Sequence, residues 1–301
     1  MTGPGLDPVV AQRVAALSLR ARKVVEGLLT GIHKSPHRGA SVVFAEHREY
    51  RPGDDPRLLD WRAYARTDRH SIKRFEQETQ LRATLVLDRS GSMAYADPPG
   101  TPSKVEHAAT LLMALGYVLV RQGDAAGAMS VDSGVTDVLP PRSRPAHLDA
   151  LLTALGEPAK PGQPTDLAAA LEAVAERAGR RAVVAIASDL LDLNEDALQP
   201  LATMVSRGNE VIVLHVMHPS ELELPFRGPA RFVGLEGEAP FDADPEAVRE
   251  AYRSEVDAFV ESCRQRCLAA GARYAFARTD EPPEHTLAAL LARGRRGGWG
   301  G

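Results

Sequence analysis

Asp88-Arg89-Ser90-Gly91-Ser92 sets one carboxylate and two hydroxyls at two-residue spacing on what reads as a tight turn. Alternate residues of such a turn can face one side, so Asp88, Ser90 and Ser92 can offer three oxygens to one point. Oxygen ligation suits hard divalent cations, and Mg²⁺ or Mn²⁺ with octahedral preferences is the expected ion. Two more oxygens stand at corresponding places: Thr165, in Gly162-Gln163-Pro164-Thr165-Asp166-Leu167, and Asp189, in Ile186-Ala187-Ser188-Asp189-Leu190. Asp88, Ser90, Ser92, Thr165 and Asp189 thus form a five-residue set with two carboxylates. An ion so held stays electrophilic enough to accept an anionic further ligand, the physical basis of a metal-bridged contact with an acidic partner. Each piece also has a plainer use: Asp and Ser form turns, and Thr165 or Asp189 could cap a helix for about 1 kcal/mol. Their shared position at the ends of expected strands, in chain order, favours the joint reading.

Catalysis would need more equipment. Hydrolysis at the ion requires a second acid near Asp88, a base to activate water, or a lysine to hold phosphate; none is evident from the sequence. A metal-dependent phosphohydrolase with Asp88 as nucleophile is the alternative, since haloacid-dehalogenase-like enzymes also place an Asp at the end of the first strand. Those enzymes need a second acid two residues on, where this chain has Ser90. A serine-hydrolase reading of Ser90 fails because Gly-x-Ser-x-Gly would put Gly at Asp88. The expected function is therefore non-enzymatic. The histidines match no zinc motif; His215 and His218, after an expected strand, are assigned surface or capping roles. Cys263 and Cys267 lie one helical turn apart and are expected to pack as small side chains.

The elements that must position this set alternate regularly from Leu81 onward. Buried strands are expected at 83–87, 126–131, 182–187, 211–216 and 273–277, with helices at 104–121, 146–155, 166–178, 195–206 and 245–270. Short Val/Ile/Ala-rich strands separated by helices define a doubly wound, mostly parallel α/β sheet of Rossmann type. Ligands of such sheets sit outside the carboxyl ends of the strands, where strand order reverses. Residues 221–241, rich in Pro and Gly, read as an irregular or hairpin insertion. Before Leu81 come an amphipathic helix over 8–29 and a polar block over 31–80, with candidate short strands at 41–44 and 72–76. The expected organisation is an N-terminal helix with a small irregular or β extension over 1–80, an α/β domain over 81–293, and a disordered tail over 294–301.

Composition narrows the partners. With 44% hydrophobic and 25% charged residues the chain is ordinary for a globular protein. Residues 1–80 hold 14 Lys+Arg against 10 Asp+Glu within a chain of net charge −4, too small an excess for nucleic-acid binding. Two cysteines suit a reducing compartment. The longest apolar run, 108–120, is 13 residues, short of the roughly 20 that span a bilayer. The first residues lack a basic start and an apolar stretch, so the expected location is cytoplasmic, without direct membrane insertion.

The oxygen set resembles the metal-ion-dependent adhesion site of von Willebrand factor A domains, Asp-x-Ser-x-Ser followed by a distant Thr and a distant Asp. Such sites hold Mg²⁺ or Mn²⁺ and leave one position for a partner's acidic side chain. Gln163-Pro164 and Leu190 depart from the glycines common there. Upstream, Arg48, Glu49-Tyr50-Arg51-Pro52-Gly53-Asp54-Asp55-Pro56-Arg57 and Asp60-Trp61-Arg62 resemble the signature of the bacterial family called domain of unknown function 58 (DUF58), ahead of a von Willebrand A-like domain. That resemblance implies association with a MoxR-type AAA+ ATPase. No Walker sequence occurs here, so any ATPase activity must come from elsewhere. Arg48, Tyr50, Arg51, Asp54, Asp55, Arg57, Asp60 and Trp61 either staple the extension to the core or dock a partner.

Overall fold

The structure is a computed structural model and describes residues 8–33, 47–49, 71–73, 81–160, 162 and 166–293. The chain divides into two compact units, Met1–Ser35 with Leu81–Gly301, and Pro36–Gln80. In the smaller, β1 (His47–Glu49) and β2 (Ser71–Lys73) form an antiparallel pair with Arg48 opposite Ile72. The expected strand at 41–44 and the tail from 294 lie outside the described residues.

The larger unit opens with α1 (Pro8–His33). It continues through β3 (Arg82–Asp88), a 3-10 turn at Ser92–Ala94, α2 (Lys104–Arg121), β4 (Ala125–Val131), β5 (Val135–Arg142), α3 (His147–Leu155) and α4 (Leu167–Arg177). Then follow β6 (Val183–Ser188), α5 (Glu195–Ser206), β7 (Glu210–Met217), α6 (Pro219–Glu223), β8 (Ala230–Phe232), β9 (Phe241–Ala243), α7 (Pro245–Ala269), β10 (Arg273–Arg278) and α8 (Pro283–Arg293). Six strands form one sheet in the order β10-β7-β6-β3-β4-β5, parallel except for β5, and β8 pairs with β9 as a separate hairpin. The expected mixed α/β architecture with a mostly parallel sheet is therefore present. Among the described residues, no helix is long and apolar enough to cross a membrane.

Period-two alternation sends the strands' side chains to two cores. Leu85, Leu87, Ala185, Ala187, Ile212 and Leu214 face α1, α2, α3 and α8, while Val86, Val184, Ile186, Val211 and Val213 face α4, α5 and α7. Cys263 and Cys267 are free and buried in the second core. Helix α1 corrects the expected grouping of 1–80: Leu17, Ala21, Val24, Val25 and Leu28 are buried in the first core, and the helix packs on α2, α3 and α8. Its apolar stripe needs a partner, and the exposed side of α2 provides one. The sequence reading also missed β5, where Pro140 and Pro141 argue against a central strand; it is an antiparallel edge strand, which tolerates proline.

Strand order fixes where a site can form. From β3 the chain crosses through α2 to β4 on one side; from β6 it crosses through α5 to β7 on the other. The crevice between the carboxyl ends of β3 and β6 is the topological switch point, and Asp88 ends one strand while Asp189 follows the other.

Candidate metal centre

Strand β3 delivers Asp88 almost wholly buried, at 1% exposure. One carboxylate oxygen accepts from the Ser90 backbone N–H at 2.9 Å, and the other accepts from the Ser188 hydroxyl at 2.6 Å. The turn that follows brings Ser90 Oγ and Ser92 Oγ to 3.2 Å from each other. Arg89 turns away and locks the loop: its guanidinium donates to Pro158 O and Asp137, and its carbonyl accepts from Lys160 N.

Strand β6 delivers Ser188 and Asp189, both buried. Leu190 N donates back to Ser188 Oγ at 3.0 Å, and Leu190 itself has φ 56°. The left-handed conformation expected of glycine after Asp189 is thus adopted by a leucine. It costs roughly 1–2 kcal/mol and is offset by burial of the Leu190 side chain in the second core.

Lys104 is the residue that sequence reasoning missed. It opens α2 behind a capping box of Ser103 and Glu106, and its side chain is fully buried. The ammonium contacts Asp189 Oδ2 at 2.7 Å and Glu221 Oε1 at 2.6 Å. Glu221, on α6, accepts the His218 N–H with its other oxygen at 3.0 Å. The sequence carries only a weak signal: a lysine in a helix's first turn opposes the helix dipole and gains from a carboxylate nearby.

The two aspartates differ electrically. Burial, and then the neighbouring Asp189 charge, raise the Asp88 carboxyl to about 6 against the hydrogen bonds from Ser188 and Ser90. Burial would raise Asp189 too, but Lys104 outweighs it and holds that carboxyl below its usual range. Burial likewise pushes the Lys104 ammonium down, and Asp189 and Glu221 outweigh it, so the lysine stays charged.

Asp88, Ser90, Ser92 and Asp189 are therefore brought together at the switch point. Thr165 lies outside the described residues; the cap of α4 is Asp166, which accepts from Ala169 N at 2.9 Å. Arg48 sits in β1, whereas Tyr50, Arg51, Asp54, Asp55, Arg57, Asp60 and Trp61 lie outside the described residues. His218 caps α6 as expected, but His215 is a core residue at 0% exposure, bonded to Tyr274 OH at 2.7 Å and edged by Phe259 and Phe276. Among the described residues no three His, Cys, Asp or Glu side chains are grouped to hold an ion, so an ion here would rest partly on hydroxyls. The hydroxyls fit: adjacent ligands of an octahedral Mg²⁺ stand roughly 3 Å apart, close to the Ser90–Ser92 spacing of 3.2 Å.

Fold and site define a class, parallel α/β proteins with an oxygen-lined crevice at the sheet's switch point. The chain belongs to the family described as protein of unknown function DUF58, whose pattern matches residues 46–261. It is 28% identical over 308 aligned residues to an uncharacterised protein of Mycobacterium bovis and to one of Mycobacterium tuberculosis, covering 98% of this chain and 93% of each relative. Among solved structures it is similar to BatB from Bacteroides thetaiotaomicron, with 16% identity, 72% of this chain and 100% of that chain covered, and a TM-score of 0.47. An aerotolerance-related membrane protein from Bacteroides fragilis is similar at 20% identity, covering 70% and 97% of the two chains, with a TM-score of 0.45.

Proposed function

We propose that this chain is a non-enzymatic protein-binding module with a von Willebrand A-like fold, whose strand-end site uses a divalent cation to capture an acidic side chain. One observation carries the reading: Ser90 and Ser92 present their hydroxyls 3.2 Å apart beside buried Asp88, at the switch point of the sheet. Ser90, Ser92 and Asp88 would hold Mg²⁺ or Mn²⁺, with Thr165 as a further ligand and Asp189 acting across the crevice. The ion, when bound, supplies a Lewis-acidic position for a partner's carboxylate. Asp88 supplies charge, Ser188 and the Ser90 N–H orient it, and the Arg89 clamp keeps the loop in place. By its family resemblance the chain serves as adaptor or co-chaperone subunit of a MoxR-type AAA+ ATPase, in the cytoplasm, with residues 48–61 as the candidate docking segment.

A phosphohydrolase using Asp88 is the second reading, favoured by the buried lysine at the same crevice. Lys104 is, however, already neutralised by two carboxylates, which argues against phosphate binding.

Calorimetry with Mn²⁺ tests the site. Wild type should bind and Asp88→Ala should not; equal affinities would remove the cation from the mechanism. A pulldown from native lysate should then retain an AAA+ ATPase with Mg²⁺ and lose it with chelator or Asp88→Ala. Asp88-dependent release of phosphate from a generic substrate would instead select the second reading.

A further inference from the structure

The edge of the sheet opposite the crevice, where the parallel strands begin, carries a run of arginines. Arg82 opens β3, Arg181 stands just before β6, and Arg142 ends the antiparallel β5. The register sets Arg82 opposite Ala125, Arg142 opposite Ala126 and Ala83 opposite Val183, so the three share one end of the sheet. From β6 to β5 is three strand intervals, about 14 Å. Arg177 and Arg180 extend the row at the end of α4, and Arg207, capping α5, donates to Ala175 O of α4. Arg144 extends it from β5 toward α3. All seven are exposed, and none has an ion-pair partner among the described residues. By contrast, Arg264, Arg266, Arg273 and Arg278, on α7 and β10, are each paired with a carboxylate.

Among the described residues the carboxylates at this edge are Asp124, Asp149 and Glu176, with Glu172 one turn further up α4 and Glu210 already taken by Arg273. Positive charge is thus in excess here, in a chain whose net charge is −4. Like charges so gathered repel one another, a cost that an anionic partner offsets. The planar guanidinium fork matches phosphate oxygens. These arginines alternate with small residues, as in Arg142-Ser143-Arg144-Pro145 and Arg177-Ala178-Gly179-Arg180-Arg181, and not with the aromatic rings on which single-stranded nucleic acid stacks. Strand ends also offer no helix or ribbon to enter the groove of a duplex. We propose that the amino edge of the sheet docks on an anionic lipid bilayer, its arginines holding headgroup phosphates without inserting into the hydrocarbon. The cytoplasmic leaflet attracts basic surfaces in this way. Strand β3 runs seven residues from Arg82 to Asp88, about 20 Å, so the crevice at its far end would face away from the lipid. The inference is independent of the cation reading.

Co-sedimentation of the full chain with vesicles tests it. Wild type should bind vesicles of phosphatidylglycerol mixed with phosphatidylcholine and ignore pure phosphatidylcholine, and added salt should release it, because exposed charges are screened. Arg142→Gln with Arg144→Gln, or Arg180→Gln with Arg181→Gln, should each weaken binding roughly 20-fold, at about fivefold per arginine. Arg227→Gln with Arg231→Gln, an equal loss of charge at β8 and its approach, should change binding by no more than about twofold, since charges beyond a Debye length are largely screened. All three pairs should melt with wild type, because none of the six arginines has an ion-pair partner among the described residues. Absence of wild-type binding to the anionic vesicles, or equal weakening by the Arg227 and Arg231 pair, would overturn the proposal. Tighter binding to single-stranded or duplex DNA offered in competition with the vesicles would overturn it too, and would give the edge to nucleic acid.

Discussion

Asp88 and Asp189 stand at the ends of neighbouring strands, each about as buried as the other, and the protein treats them in opposite ways. Asp189 is given a buried ammonium at 2.7 Å and is held ionised. Asp88 receives neutral donors, the hydroxyls of Ser188 and Ser90 and the Ser90 backbone N–H, and its carboxyl is raised to about 6. Burying an ion without a counter-charge costs several kcal/mol, and the fold accepts that cost on one side of the crevice only. The difference sets the two carboxylates apart: Asp189 is compensated from within the chain, whereas under the proposed reading the charge that Asp88 lacks is the cation's.

The largest effect should come from removing that distinction. Lys104→Met leaves Asp189 and Glu221 facing each other without their cation. Breaking a buried pair from one side typically costs about 3–5 kcal/mol, or roughly 10 °C in melting temperature for a unit of this size. Thermal unfolding in chelator should show this drop. Adding Asp189→Asn to Lys104→Met should recover a substantial part of it, because a neutral amide no longer needs the lysine. If Lys104→Met alone melts with wild type, Asp189 owes nothing to the ion pair and the contrast with Asp88 is void.

How much of this was legible in the sequence follows from the range of each interaction. The alternation of apolar strands with helices is local, so α2 and α5 are read at their observed ends and the central strands within a residue. Asp88, Ser90, Ser92 and Asp189 were also legible, because strand ends in a parallel sheet share one edge. The partners of Asp189 were not: Lys104 lies 85 residues from it and Glu221 117 from Lys104, and no periodicity links such positions. Glu236, 144 residues from Ser92, whose backbone N–H it accepts, is equally remote. His215 was misread for a related reason. Its place near the end of a strand suggested exposure, whereas Phe259, Tyr274 and Phe276 from α7 and β10 enclose it.

One turn beyond Lys104 on the same helix, His107 offers a third treatment of a buried ionisable group, and a smaller effect. It is 5% exposed, its Nε2 has no partner among the described residues, and burial with the nearby Arg20 charge lowers it to about 4, against a weaker upward pull from Asp280. The unfolded chain, near 6.5, binds the proton more readily, so His107 favours folding above that pH and the contribution is lost as pH falls toward 4. By pH 5 the loss should reach about 2 kcal/mol. His107→Gln should flatten the fall in melting temperature between pH 7 and pH 5 by a corresponding amount. An unchanged slope would assign acid sensitivity to other groups and leave Lys104 as the one buried base on this helix that matters to stability.

The smallest shift sharpens the comparison most, because its sign is opposite to that of an ordinary core substitution. Asp88→Asn removes an under-compensated buried charge. Displacing its carboxyl from 3.8 to about 6 corresponds to about 3 kcal/mol of penalty at neutral pH. The amide oxygen can still accept from Ser90 N, but the Ser188 hydroxyl loses its ionised acceptor, which takes back roughly 1–2 kcal/mol. The chelated variant should therefore melt above wild type by the equivalent of about 1–2 kcal/mol, while losing Mn²⁺ binding. Asp189→Asn in the same assay should melt below wild type, since it leaves Lys104 with one carboxylate instead of two. If both asparagine variants lowered stability alike, Asp88 would be structural in the same sense as Asp189, and the crevice would have no place reserved for an incoming cation.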